Sequence, residues 1–184
     1  MARAYAERGE SWAARRTARE LLREEPSLPG VTRTAIAQVL DEAGDDEGAL
    51  ALLATMQGAA RTPAVLKLTA CAAHGMGRTE QRDAALKELE ARKALAENFD
   101  ALVCTGEKEK AAAVLAEMLK QPDLRTAAIL AAQLYADPVK PDADHNDLRY
   151  RMTALVATPA VQDAIKPYAR SIALPFTVAT ARAN

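Results

Sequence analysis

Residues 37–53, AQVLDEAGDDEGALALL, decide how this chain is read. Leu40 stands four residues before Gly44, and Ala49 stands five after it, with Leu53 and then Pro63 beyond. Apolar residues on both sides of the glycine recur at helical spacing, so two helices are expected with a turn between them. Glycine tolerates positive φ and so relaxes the backbone where the first helix ends. Asp45 and Asp46 suit the positive end of the second helix. The alanine lets the second helix approach the first closely, and the proline stops it and resets the chain.

The same arrangement recurs. Tyr5 precedes Gly9 by four residues, Ala14 follows by five, and Pro26 ends the segment; Leu102, Gly106, Ala111, Leu115 and Pro122 repeat the order. From Gly9 to Gly44 is 35 residues, from Gly44 to Gly77 is 33, and from Gly77 to Gly106 is 29. These bracket the period of about 34 residues found in one class of helical repeat. The stretches AYAERGESWAA, AQVLDEAGDDEGALALL and FDALVCTGEKEKAAAVLAEMLKQP resemble tetratricopeptide (TPR) repeats, over roughly residues 1–122. The Trp usual near the start of the first helix is absent. The segment 64–94 matches least well, with Gly75 and Gly77 both candidate turn glycines. Its second helix, Glu80 to Ala96, can run directly into the next repeat; a HEAT-like or Sel1-like array accommodates that pattern too.

The expected fold is therefore all-α: an α-solenoid of antiparallel helical hairpins, about eight to ten helices with no sheet, forming a TPR-like superhelix. Helical repeats are expected over 1–136 and a C-terminal helical cap and tail over 144–184. Asp123 to Ala136 reads as one more helix. Asp137-Pro-Val-Lys-Pro-Asp-Ala is a linker, because two prolines within four residues exclude helix. Helices are expected from Asp144 to about Ala157, and from Pro159, at a first helical position, to about Ile165. The short first helix before Gly9 suggests a fragment of a longer product.

Composition agrees with helix. Apolar residues are 49% but aromatics only 4%, and charged residues are 27%. Such Ala, Leu, Glu, Arg and Lys content favours helix, and no alternating Val, Ile or Thr run reads as a strand. The net charge of −1 argues against nucleic acid, whose binders usually carry a basic face. The local cluster Arg15, Arg16, Arg19 is answered by Glu20, Glu24 and Glu25 and reads as a solvated face. The apolar run Ala127 to Ala136 is too short to span a bilayer, and the N-terminus has no apolar signal region. A cytoplasmic location is favoured, a periplasmic one if a signal peptide was removed. Cys71 and Cys104 make no disulfide framework or metal motif, which fits a reducing compartment.

Sites of chemistry are sparse. Asp142 to Asp147 superficially resembles the start of an EF-hand loop but lacks its turn glycine and terminal glutamate, so a cap and turn is expected. His74 and His145 lie in no zinc pattern. No serine sits in a nucleophile elbow, and His74-Gly-Met-Gly77 follows no strand and is no dinucleotide loop. Cys71 and His74, three residues apart, are the one nucleophile–base hint. Trp12, the sole tryptophan, is expected to pack against a neighbouring repeat, with an interface anchor as the alternative.

What the resemblance implies is a concave groove lined by the first helices of successive hairpins. Mapped here, its candidates are Arg3, Glu7, Thr34, Gln38, Asp41, Lys67, Cys71, His74 and Asp100. The Lys, Asn and Arg set with which some members grip a C-terminal carboxylate is not reproduced. The expected function is a protein-interaction scaffold, without cofactor, metal or catalysis, within a larger bacterial protein or assembly. Its partner is a protein or peptide; no nucleic acid and no membrane insertion are expected, and self-association as a homo-oligomer is open. The alternative is a regulatory helical domain of an enzyme or transcription regulator whose other domain lies outside this chain.

Overall fold

The turn at Gly44 sets the local geometry. Gly44 adopts φ +73°, in the left-handed region. Its N–H donates to the Asp41 carbonyl at 2.9 Å, and the Asp45 N–H reaches back to the Leu40 carbonyl at 2.8 Å. Two carbonyls that a helix end leaves without partners are thereby satisfied, in a Schellman motif. The leucine four before the glycine is thus the acceptor of the closing bond. The next helix starts at once, with the Ala49 N–H donating to the Asp45 carbonyl at 2.9 Å. The turns at Gly77 and Gly106 repeat both closing bonds, through Ala73 and Leu102 respectively. Gly9 shares the positive φ, and the Ala14 N–H likewise donates to the Glu10 carbonyl.

The computed structural model describes residues 2, 9–132 and 148–169. These contain ten α-helices and no strand. In chain order they are α1 (Ser11–Glu24), α2 (Gly30–Glu42), α3 (Asp46–Ala54), α4 (Pro63–Gly75), α5 (Thr79–Ala91), α6 (Leu95–Cys104), α7 (Lys108–Lys120), α8 (Pro122–Ala131), α9 (Leu148–Val156) and α10 (Pro159–Ile165). The chain divides into two compact units, Met1–Ala101 and Leu102–Asn184.

In the first unit, α2 packs against α1, α3 and α4, and α4 packs against α3 and α5. Ala14, Ala18, Ala37, Leu40, Ala49, Leu53 and Val65 fill a continuous core, while Leu66, Ala70, Ala85, Leu89 and Ala101 form a second cluster. Thr62 caps α4 by accepting from the Val65 N–H, with Pro63 at the first helical position. In the second unit, α7 packs against α8, α9 and α10. Ala111, Leu115, Leu119, Ala128, Leu155 and Val161 are buried there.

Several expectations change. The helix expected over Glu80 to Ala96 ends at Ala91. Lys93 takes φ +54° and Ala94 donates to the Leu89 carbonyl, so a Schellman turn forms without glycine and a new helix follows. Helix-favouring composition hid this break, because a non-glycine residue in the left-handed region has no sequence signal. Of the two candidate turn glycines, Gly77 makes the turn and Gly75 is the last residue of α4. Trp12 is 66% exposed rather than packed in a core. α10 spans the expected residues, and Pro122 rather than Asp123 opens α8. The 137–143 linker, the EF-hand-like stretch and His145 lie outside the described residues.

Ala49 and Ala111, each five after a turn glycine, are both fully buried. Enlarging either to Leu should overpack its surroundings and cost about 1–3 kcal/mol. Chemical denaturation of each variant checks this; unchanged midpoints would contradict the register.

Candidate binding face of the helices before the turns

α2, α4 and α6 each precede a left-handed glycine, and each contributes one charged residue to a common line. Asp41 lies in the last turn of α2, Lys67 in the second turn of α4, and Asp100 in α6. Lys67 Nζ stands 3.7 Å from Asp100 Oδ2. Lys67 also faces Asp41 closely enough to lower its pKa. Lys67 thus pairs with Asp100, and its charge also acts on Asp41 of another helix.

Asp41 is the unusual group. Burial raises its pKa to about 7, and the nearby charges of Asp46 and Glu42 push the same way. Lys67 opposes this without reversing it. The Asp46 carboxyl is raised as well, first by burial and then by Asp45, while its hydrogen bond from Asp41 works against the rise. The arrangement is a carboxyl pair sharing a proton, with Asp41 the donor. Asp100 is lifted by burial, against Lys67 and with Glu97; its side chain is 57% exposed, so solvent screens much of the effect.

Asp46 comes from α3, and its position depends on Gly75. A Cβ at residue 75 would lie 1.9 Å from Asp46 Oδ2 and 2.8 Å from Asp46 Cγ. The helix end of α4 has no side chain where the carboxylate lies. The neighbouring Asp45 is held differently. Arg19 clasps it with two hydrogen bonds of 2.9 Å, and it accepts from the Gly48 N–H as the cap of α3.

The other expected groove residues are dispersed in role. Thr34 Oγ1 donates to the Gly30 carbonyl at 2.9 Å, a bond within its own helix. Gln38 Nε2 donates to Glu42 Oε1 at 2.7 Å. His74 lies half-buried in the last turn of α4. Arg3 and Glu7 fall outside the described residues. Cys71 and Cys104 correct the earlier expectation: both are disulfide-bonded and neither is a free thiol. A disulfide sulfur offers no thiolate, so the Cys71–His74 nucleophile–base idea has no nucleophile in this state.

Sequence reading missed Asp46, whose place at a helix start explained it too readily, and the Arg61–Glu88–Arg92 group. Arg61 Nε stands 2.9 Å from Glu88 Oε2, and Arg92 Nη1 donates to the Arg61 carbonyl. Burial tends to raise the Glu88 pKa, but bonds from Arg61 and Arg92 carry it below the usual value. This joins the start of α4 to α5 and reads as bracing. Among the described residues, no helix is long and apolar enough to cross a membrane. No protein-family model, curated protein or solved structure matches the chain.

Proposed function

We propose that this chain is a TPR-like helical scaffold that binds a peptide or helix of a partner protein along α2, α4 and α6. The observation that supports it is the line Asp41, Lys67, Asp100, one side chain from each of three helices that precede the glycine turns. In a solenoid of hairpins, such helices form the concave surface, and small repeat rotations tune its curvature. Lys67 offers a cation to a partner carboxylate, while Asp41, whose proton goes to Asp46, offers its other oxygen as an acceptor. Gln38, half-buried one turn before Asp41, adds an amide to the same face. Recognition rather than chemistry is the reading, because these groups assemble no nucleophile, base and oxyanion set.

The test begins with capture of a partner from native extract, using the whole chain as bait. Changing Gln38, Asp41 and Asp100 together to Ala should then weaken that complex by about tenfold or more while the helical spectrum persists. Asp100 is exposed and Gln38 half-buried, and Asp41→Ala removes a carboxyl whose charge burial disfavours, so the fold should persist. Full retention of affinity by the folded triple variant rejects the groove.

A further inference from the structure

α1 carries a face that the groove reading does not use. Trp12, Arg15, Arg16, Arg19, Glu20 and Arg23 line one open depression along this single helix. Trp12, Arg15, Arg19 and Arg23 follow one another at three- and four-residue intervals, a stripe about 16 Å long at about 1.5 Å per residue. The arginines differ in commitment. Arg16 pairs with Glu20 at 2.8 Å and lies over the Trp12 ring, 5.5 Å from its centroid. Arg19 holds Asp45, yet its side chain is 65% exposed. Arg15 and Arg23 make no ion pair among the described residues. The helix as a whole carries four arginines against Glu20 and Glu24, within a chain of net charge −1.

We infer that this face docks an acidic peptide segment of a partner protein, with carboxylates on Arg15, Arg19 and Arg23 and an apolar side chain against Trp12. Three arginines at four-residue intervals stand about 6 Å apart along the helix. Carboxylates on alternate residues of an extended chain are spaced about 6.5 Å apart, which matches. Guanidinium groups are planar, weakly hydrated and suited to two-point contact with carboxylates. An exposed Trp beside arginines is the composition that dominates binding energy at protein interfaces. A nucleic-acid backbone fits less well, because one helix with four arginines in a chain of net charge −1 lacks the broad basic surface that such a polyanion calls for. An anionic membrane fits less well too, since Trp12 is the one large apolar group in the stripe. This inference stands on α1 alone and is independent of the groove.

The test uses the full chain and a dye-labelled peptide of about twelve residues, with glutamate at alternate positions and one central leucine. Binding is read by anisotropy and by the emission of Trp12, the sole tryptophan. The peptide should bind with a change in Trp12 emission and weaken as salt rises. Arg15→Glu with Arg23→Glu should lower affinity by about tenfold or more. Arg23→Glu alone, at an exposed position, should lower it about threefold even if the double variant loses helix. Lys87→Glu with Lys108→Glu, on α5 and α7, should leave affinity unchanged. Absence of peptide binding, equal loss in the Lys87/Lys108 control, or binding of duplex DNA or phosphatidylserine vesicles in preference to the peptide would each overturn the proposal.

Discussion

Reduction with a thiol reagent should lower the stability of this protein by about 2–4 kcal/mol, the typical contribution of one disulfide. Both cysteines are disulfide-bonded, so reduction removes a constraint on the unfolded chain. For a chain of this size the thermal midpoint should fall by about 5–15 °C. Denatured without reductant, the protein should take up no iodoacetamide; reduced first, it should take up two equivalents, one for each cysteine in the sequence. Two adducts without reductant would show free thiols and restore the nucleophile that the disulfide state removes. The double Cys→Ser variant should melt where the reduced protein melts.

The glycine turns were legible because their chemistry is local. A positive φ favours glycine, and its closing bond reaches back only a few residues, so Leu40, Gly44 and Ala49 announce the turn in the sequence. The burial of Ala49 and Ala111 followed from the same register. The turn at Lys93 was not legible, because there the strained conformation is imposed on a residue whose type carries no preference for it. The burial of Trp12 was misjudged for a related reason. A large aromatic at helical spacing says that it lies on a face but not whether anything covers that face.

The charged groups show the same division. Lys67 and Asp100 were singled out as members of one face, and the 3.7 Å approach brings them together. Asp46 was not, since a carboxylate at a helix start has a sufficient local explanation in the helix dipole. What places it beside Asp41 is long-range: the missing Cβ of Gly75, about thirty residues away in sequence. The cysteines also escaped. Two cysteines spaced by 33 residues carry no motif, and they stand at different distances from their turn glycines, Cys71 six before Gly77 and Cys104 two before Gly106.

Asp41→Asn should make the folded chain more stable at pH 8 by about 1–3 kcal/mol, while changing little at pH 4. The sign follows from the raised pKa. Unfolded, Asp41 ionises near its ordinary value of 3.8; folded, it holds its proton to about 7. Between those values the folded state binds a proton that the unfolded state has released, so stability from this group falls as pH rises. Above pH 7 the folded chain must carry a charge held near Asp46 and Glu42 with only Lys67 to offset it. Asparagine removes that charge and keeps a donor for Asp46. The stability difference between variant and wild type should therefore grow from pH 4 to pH 7 and then level off, as urea titrations across pH would record. Gly75→Ala gives an independent readout, because the new Cβ drives the Asp46 carboxylate away from its place. Without that neighbour Asp41 should titrate at lower pH, seen by NMR of its side-chain carboxyl. An Asp41 that titrates near its ordinary value in the wild type, or a variant difference independent of pH, would show that the pair shares no proton.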